Sequence, residues 1–281
     1  MPTKAERESY LLPLQQVQVT PKIPPGARKA TGDFVSFHYS DTHFPFQDPA
    51  SLKVIYAVLK DLKPDLIVHH GDLLDCYAIS RFDKDPSHRV SLDKEIQLAA
   101  EHLATVAKIC PKAERLLIKG NHEDRLRRLL WSEASGPLRE VLSLSKVQAL
   151  LNWPALLDLK GSGWRWIESR ELLFGKMILK HGEVVRAGSG ATAKAEQSRY
   201  SKSGMSGHTH RMGSYFIRDW NGQHGWFELG CTCDLNPSYV EDPNWQNGFA
   251  VVTWSKNRDH FSVEPVITNK GRAVFRGTFY S

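Results

Sequence analysis

The sequence predicts an α/β protein in which helices flank a largely parallel sheet, and two features carry this prediction. Between residues 33 and 120, short apolar segments alternate with amphipathic ones, and from residue 164 onward strand-like segments dominate. Strand–helix alternation favours right-handed crossovers, which place parallel strands in one sheet. The β-rich second half indicates further strands joined by hairpins.

The segment 33–120 contains three predicted strands and two predicted helices. The strands are expected at residues 34–37, 66–68 and 116–118, which are short apolar runs. Asp48 and Pro49 provide an N-cap and a first helical residue, and apolar residues then recur at helical spacing: Leu52, Ile55, Leu59 and Leu62. A second amphipathic helix is predicted from Ile96 to Val106.

Residues 123–160 have a mostly helical pattern, and Arg125, Arg127 and Arg128 are expected on its solvated face. Strands follow at Trp164 to Ile167 and from Leu172 to Leu179. Asn221-Gly222 predicts a hairpin turn, and a second hairpin is expected around Asn257. The eight tryptophans lie mostly in this half of the chain, where core packing explains them better than base stacking does.

Residues 1–32 are predicted to form a loosely ordered basic tail before a domain spanning residues 33–281. The tail carries five cations against two acids, 5 − 2 = +3, and its five prolines disfavour regular structure: Pro2, Pro13, Pro21, Pro24 and Pro25. A partner-binding arm is the less favoured interpretation.

The composition predicts a cytoplasmic protein with reduced thiols. The chain is 41% hydrophobic and 24% charged, and no apolar run approaches a membrane span, so no membrane partner is expected. The four cysteines (76, 110, 231 and 233) are too few and too scattered for a disulfide framework or a structural zinc site. The net charge of +6 favours anionic partners.

Five strand-like runs end directly in aspartate, asparagine or histidine, often beside glycine. The blocks are Asp41-Thr42-His43, Gly71-Asp72, Gly120-Asn121-His122-Glu123, His181-Gly182 and Gly207-His208-Thr209-His210. Ligands bind at the carboxyl ends of strands in α/β sheets. Oxygen donors mixed with imidazole suit manganese, iron or zinc. The pattern therefore predicts a metal centre at this sheet end.

In this order, the five blocks resemble the calcineurin-like metallophosphoesterase superfamily. The resemblance runs from about Phe34 to His210 and implies a β-sandwich flanked by helices, in α/β/β/α layers. It also implies two divalent ions, most favourably manganese, with iron and zinc as alternatives. Asp41, His43, Asp72 and His210 would hold one ion, and Asp72, Asn121, His181 and His208 the other.

The chemistry expected from this ligand set is hydrolysis of a phosphate ester by a hydroxide that bridges the two ions. His122 is predicted to protonate the leaving oxygen, and Asp75 to orient His122 as the matching aspartate does in the protein phosphatases. Cys76 stands where those enzymes carry arginine, and they lack the closing Gly-His-x-His. Both departures favour the phosphodiesterase and nuclease-like branches.

The favoured substrate is therefore a phosphodiester in DNA, RNA or a nucleotide. Two alternatives are a phosphomonoesterase acting on nucleotides or phosphoproteins, and a catalytically inactive metal-binding scaffold. A basic segment bracketed by predicted ligands favours a polyanion: six cations against Glu183 and Glu196 give 6 − 2 = +4 (Lys180, Arg186, Lys194, Arg199, Lys202 and Arg211). His69 and His70 are expected to pack at the sheet end or to support ligands, and His38 is expected in the core or at the surface, rather than as metal ligands. Protein partners and oligomeric state have no signature in the sequence.

Overall fold

The first sheet has six strands, four of which are parallel and follow chain order. The computed structural model describes residues 34–82, 84–86, 88–133, 136–169, 171–237 and 242–281, so the predicted tail at residues 1–32 lies outside the described residues. The parallel strands are β1 (Phe34–Tyr39), β2 (Leu66–His69), β3 (Glu114–Ile118) and β4 (Arg165–Ile167). Beyond β1, the antiparallel strands β10 (Asn247–Trp254) and β11 (Phe261–Thr268) complete the sheet.

The second sheet has five strands in the order β5-β6-β7-β9-β8. They are β5 (Glu171–Phe174), β6 (Met177–Lys180), β7 (Ser203–Ser206), β8 (Gly213–Asp219) and β9 (Gly222–Glu228). Strands β6, β7 and β9 are parallel, whereas β5 and β8 pair antiparallel at the two edges. A separate hairpin joins β12 (Ala273–Phe275) to β13 (Thr278–Tyr280).

Helices follow most of the parallel strands. The two long ones are α1 (Pro49–Leu62), which Asp48 caps as predicted, and α2 (Leu92–Ile109), which Ser91 caps. The helical stretch after β3 divides into five short helices: α3 (Asp124–Glu133), α4 (Gly136–Ser143), α5 (Ser145–Leu150), α6 (Trp153–Leu156) and α7 (Leu159–Ser162). Helix α8 (Ala191–Tyr200) lies between β6 and β7 in the chain.

Three apolar clusters show that the layers are α/β/β/α, which confirms the predicted fold class. The largest cluster joins α1 and α2 to the first sheet, through residues such as Ile55 and Leu103. The second fills the space between the sheets, where Val68 of β2 and Leu179 of β6 are both fully buried. In the third, Ala193 of α8 packs on Trp226 of the second sheet.

Three details differ from the sequence prediction. The expected strand from Leu172 to Leu179 is a hairpin, because the chain turns at Gly175, whose φ is +56°. The hairpin turn predicted at Asn221-Gly222 is shifted by one residue, since Gly222 pairs with Asp219 as the first residue of β9. Trp226 and Trp254 are buried in the core as expected, but Trp220 at the turn is fully exposed.

The four cysteines are all free and buried, in agreement with the predicted reduced thiols. Among the described residues, none of the helices combines the length and apolar character needed to cross a bilayer.

Candidate metal centre

The polar residues predicted from the strand ends lie together at one end of the sandwich. Loops after three strands of the first sheet and two strands of the second contribute to it. Each residue follows its strand by one to four positions: Asp41 and His43 after β1, Asp72 after β2, Asn121 after β3, His181 after β6, and His208 and His210 after β7. Loop ends of both sheets therefore form this site.

The backbone of these loops is unusual at five of the seven predicted ligands. Positive φ values occur at Asp41 (54°), His43 (51°), Asp72 (51°), His208 (73°) and His210 (58°). A non-glycine residue in this left-handed region costs roughly 1–3 kcal/mol and concentrates at functional sites. The surrounding fold holds the side chains in an arrangement that local preference alone would not select.

Two glycines of the sequence motifs are required by close approach of neighbouring chains. A Cβ on Gly120 would lie 2.1 Å from Oδ1 of Asp72, and a Cβ on Gly207 would lie 2.0 Å from Oγ of Ser40. Neither contact is sterically allowed. The glycines therefore let the β3 and β7 loops pack directly against the carboxylate-bearing loops.

The predicted ligands of the first ion form a compact group. Nε2 of His210 lies 3.3 Å from Oδ1 of Asp41 and 3.1 Å from Nε2 of His43. Asp41 is completely buried, and its carboxylate also accepts the main-chain N–H of His208. Three ligand atoms thus converge on one point.

The predicted ligands of the second ion also form a compact group, and they include Asp72, which both ions would share. Nε2 of His181 lies 3.2 Å from Oδ2 of Asp72 and 2.9 Å from Oδ1 of Asn121. His208 lies with Asp72 and His181 in a cluster whose ligand atoms are all within 4.8 Å of one another. The same Oδ2 of Asp72 is 3.8 Å from Nε2 of His43, so this carboxylate lies between the two groups.

The donor set fits divalent cations. Nδ1 of two histidines is bonded to an acceptor outside the groups: His43 to the carboxylate of Asp75 (3.1 Å) and His181 to the main-chain oxygen of His70 (2.9 Å). Acceptors on these Nδ1–H groups leave the Nε2 lone pairs directed into the site. Nε2 of His43 and Nε2 of His210 lie 3.1 Å apart, a spacing at which both can bind one cation.

The electrostatics also favour positive charge. Burial would raise the pKa of Asp41 and Asp72, but nearby histidines, chiefly His210 and His181 respectively, hold both well below their ordinary value. Burial would lower the pKa of His181, but Asp72 raises it to about 9. Both carboxylates are therefore ionised at neutral pH, and protons on the histidines compete with metal for the same lone pairs.

Glu123 braces two of the ligand loops. Its buried carboxylate accepts the main-chain N–H groups of four residues: Gly120 (2.8 Å), Asp72 (3.1 Å), Leu73 (2.8 Å) and Leu74 (3.2 Å). Burial, with a smaller effect from Asp72, raises the pKa of Glu123 to about 7. Glu123 directly precedes α3, which begins at Asp124, and its hydrogen bonds tie the β2 loop to the β3 loop.

His122 lies at the rim, beside both groups. Its ring centroid is 4.5 Å from that of His43, and its Nε2 is 3.9 Å from Oδ2 of Asp72. Nδ1–H of His122 donates to the main-chain oxygen of Asp75 (2.8 Å), while the Asp75 carboxylate bonds more closely to His43. Asp75 thus contacts His122 mainly through its backbone, whereas the sequence predicted a side-chain contact.

Some of the positive charge predicted around the site is neutralised. Lys180 is buried, and its Nζ lies 3.3 Å from Glu196, while Arg199 pairs with Glu183 at 3.1 Å. Lys202 lines a groove that also includes Lys176 at the start of β6, away from the ligand loops. The side chain of Arg211 donates to the main-chain oxygen of exposed Arg186 (2.7 Å), and both stay close to the loops that carry His210 and His181.

A cavity of about 250 Å³ adjoins the second group. One side is formed by Asn121, His181 and His208, and the other by Lys119 and Arg128. Lys119 pairs with Asp124 at 3.3 Å and with Glu168. The cavity offers a path to the second group with cationic side chains along its wall.

The three remaining sheet-end histidines are buried, as the sequence predicted. His38 donates to or accepts from His70 (2.9 Å) and His69 bonds Thr42 (2.9 Å). His70 was predicted to pack at the sheet end or to support a ligand, and its main-chain oxygen accepts from Nδ1 of His181, in agreement with the second of these. Arg125 was predicted on the solvated face but lies against His122 at 3.1 Å. Arg125 lies three residues after His122, across the turn that leads into α3, and this spacing was the sequence signal for their contact.

Several known proteins are similar to this chain. The Gene 54 protein of Mycobacterium phage D29 is 28% identical over 243 residues, covering 81% of this chain and 92% of that protein. The corresponding protein of Mycobacterium phage L5 is 28% identical over 232 residues, covering 76% and 86%.

Among solved structures, Yfce, a phosphoesterase from E. coli, covers 82% of this chain and 98% of its own at 14% identity and a TM-score of 0.37. Purple acid phosphatase PPD1 from yellow lupin seeds covers 87% and 53% at 13% identity and a TM-score of 0.45. The family model of the calcineurin-like phosphoesterases matches residues 36–212, which contain every predicted ligand. The chain therefore belongs to the calcineurin-like phosphoesterase family.

Proposed function

We propose that the protein is a dinuclear metal-dependent phosphoesterase that hydrolyses a phosphodiester, in nucleic acid or a nucleotide. The observation that carries this proposal is the pair of ligand groups that share Asp72, with His122 at their rim. Family membership supports hydrolysis of a phosphate ester. The ligand groups support the number of ions, and the surrounding charge supports the substrate class.

Each ion has four protein ligands in the proposed assignment. Asp41, His43, Asp72 and His210 hold one, and Asp72, Asn121, His181 and His208 hold the other. Mixed oxygen and imidazole donors suit manganese, with iron and zinc as alternatives. When bound, such a pair of ions supplies positive charge for phosphoryl oxygens and acidifies water enough for attack on phosphorus at neutral pH.

The chain's own residues have three tasks in this reaction. Asp41 and Asp72 contribute two negative charges against the four positive charges of two divalent ions, so the centre retains affinity for an anionic ester. His122 is directed by the Asp75 main-chain oxygen so that Nε2 faces the site. From that position Nε2, once it has taken up a proton from solvent, passes that proton to the leaving oxygen, a role that contributes typically 10²–10⁴-fold.

The first test combines metal analysis with turnover. We expect two ions per chain by elemental analysis, and faster hydrolysis of bis-nitrophenyl phosphate, a diester, than of nitrophenyl phosphate, a monoester. Faster hydrolysis of the monoester would instead identify the protein as a phosphomonoesterase. Two bound ions with no turnover of either ester would support the inactive scaffold.

A second test addresses nucleic acid. Arg186 and Arg211 lie near the ligand loops, and reversing both charges should weaken binding of DNA or RNA and reduce its salt dependence. Removing one phosphate contact lowers the salt slope by about 0.9 for duplex DNA and by about 0.7 for single strands. Lys53→Glu with Lys60→Glu, on the exposed face of α1, is the matched control. Equal effects of the two double variants would contradict a specific polyanion path.

A further inference from the structure

Arg125 differs from the other arginines of its helix. Its side chain is 18% exposed, whereas those of Arg127 and Arg128 are 44% and 60% exposed. Arg127 and Arg128 extend toward solvent beside Asp124, with nitrogen–oxygen distances of 2.7 and 3.7 Å. Arg125 instead points inward, toward the rim of the candidate metal centre.

One end of the Arg125 guanidinium is anchored. Its Nη1 donates to the main-chain oxygen of Asp75 (2.7 Å) and lies 3.4 Å from the Asp75 carboxylate. That carboxylate bonds His43 more closely, at 3.1 Å, so it does not belong to Arg125 alone. Since guanidinium stays protonated in proteins, this is a permanent positive charge held in one position.

The other end points at His122. Nη2 of Arg125 lies 3.1 Å from Nε2 of His122, and Nδ1 of His122 lies 2.8 Å from a carbonyl oxygen, which can only accept. Nδ1 therefore carries the proton, and Nε2 accepts from Arg125. Nε2 of His122 is also 3.9 Å from Oδ2 of Asp72. The His122 ring therefore lies between the Arg125 guanidinium and the Asp72 carboxylate, which both ligand groups share.

We propose that Arg125 contacts the substrate, donating from Nη2 to a non-bridging phosphoryl oxygen. This inference rests on the proposed phosphoesterase function. The phosphoryl oxygen replaces His122 as the acceptor of Nη2, and this exchange frees the Nε2 lone pair of His122 to take up from solvent the proton that it then passes to the leaving oxygen. The anchored Nη1 keeps the guanidinium in place during the exchange, so little ordering is needed when substrate binds.

Arg125 also differs from the two lysines of the adjoining cavity wall. Lys119 and Lys180 each have a carboxylate at 3.3 Å. Arg125 shares the Asp75 carboxylate with His43 and keeps a donor directed at His122, beside the site. That donor is available to an anion that displaces His122.

The experiment compares Arg125→Gln and Arg125→Lys with Arg127→Gln, a control on the same helix. Metal content and thermal midpoint are measured first, and inorganic phosphate is then titrated calorimetrically into each metal-loaded protein. We expect phosphate affinity to fall about 10–100-fold in Arg125→Gln with both ions retained, to fall less in Arg125→Lys, and to be unchanged in Arg127→Gln. Turnover of a diester should fall roughly 10²–10³-fold in Arg125→Gln.

Chemical rescue separates substrate contact from a role in holding Asp75. Millimolar methylguanidine should restore part of the turnover of Arg125→Gly, as a free cation can occupy the vacated position. Unchanged phosphate affinity in Arg125→Gln would overturn the proposal. So would loss of metal in parallel with loss of turnover, without rescue, since that pattern indicates only support of the Asp75 loop.

Failure of the proposed function has a different signature. If the wild-type protein hydrolyses neither diester nor monoester, the function proposal fails while the phosphate titration still tests Arg125. If the wild-type protein is active and phosphate binding does not depend on Arg125, only the present inference fails.

Discussion

Replacing Asp72 by asparagine should disrupt both ion sites, because one carboxylate oxygen serves both ligand groups. Oδ2 of Asp72 lies 3.2 Å from Nε2 of His181 and 3.8 Å from Nε2 of His43. The substitution keeps the shape of the side chain and an oxygen donor but removes the charge. Any loss of affinity therefore measures the electrostatic share of binding more than a change in packing.

The size of the effect follows from what Asp72 does to His181. The pKa of His181 rises from 6.5 to about 9, with Asp72 the largest favourable influence against the cost of burial. Asp41 and Glu123 contribute smaller shares of this rise, which at 1.36 kcal/mol per pKa unit corresponds to about 3 kcal/mol for one positive charge. Each divalent ion carries twice that charge, so affinity should fall by at least about 10²-fold for each ion.

Calorimetric titration of manganese into metal-free protein, combined with elemental analysis, measures both affinities. Asp41→Asn is the matched control, because Asp41 lies in the first group alone, and it should weaken one ion while leaving the other within a few-fold. Asp75→Asn, which acts on His43, should show a milder version of this one-site effect. Loss of only one ion in Asp72→Asn, or unchanged binding, would refute the shared-ligand reasoning.

Three further predictions use other groups of the molecule. His122→Ala should retain both ions and lose roughly 10²–10⁴-fold in turnover, with a smaller loss for a nitrophenol leaving group; equal losses on good and poor leaving groups would argue against proton transfer. Manganese affinity should rise with pH up to about 9, roughly tenfold per unit for each proton displaced, because the raised pKa of His181 keeps it protonated below that pH; a flat titration between pH 6 and 9 would contradict this. Burial raises the pKa of Glu95 from 4.5 to about 7, so the folded chain holds more protons than the unfolded chain in that range. Protonated Glu95 therefore favours the folded chain. The free energy of unfolding is unaffected below pH 4.5 and falls by up to about 3 kcal/mol as pH rises through 7. Glu95→Gln should therefore show a flatter dependence of unfolding free energy on pH in urea titrations.

Strand–helix alternation was sufficient for the α/β class, the family resemblance supplied the layers, and the strand ends indicated where the predicted ligands lie. Strand-like runs that end in Asp, Asn or His place those residues at sheet ends, and the parallel order of β1, β2 and β3 brings three of the loops together. Glycines recur beside these residues in the sequence motifs. Gly120 shows why, because any side chain there would collide with Asp72. Periodicity and local chemistry thus determine where the site lies.

The partners of side chains depend on tertiary contacts, and there the sequence was less informative. Glu123 directly precedes a helix in the sequence. In the structure its carboxylate accepts the main-chain N–H groups of residues 72–74 and of Gly120. The sequence places Lys180 beside a predicted ligand as a positive charge. In the structure Glu196 of α8 pairs with it, which only the tertiary fold reveals. Arg125 differs from Arg127 and Arg128 in lying three residues after His122, but only the tertiary structure shows that the two side chains meet.

The origin of the ligands in both sheets has a mechanical consequence. Asp41, Asp72 and Asn121 follow strands of the first sheet, and His181 and His208 follow strands of the second, so ions bound between them would link the two sheets and oppose their sliding. The unfolded chain separates these residues by up to 169 positions, from 41 to 210, and does not offer the preformed site. Ions at 100 times their dissociation constant add about 2.7 kcal/mol for each independent site to the free energy of unfolding. A cavity-forming substitution between the sheets, such as Leu179→Ala, should correspondingly weaken ion binding, because Leu179 lies two residues before His181.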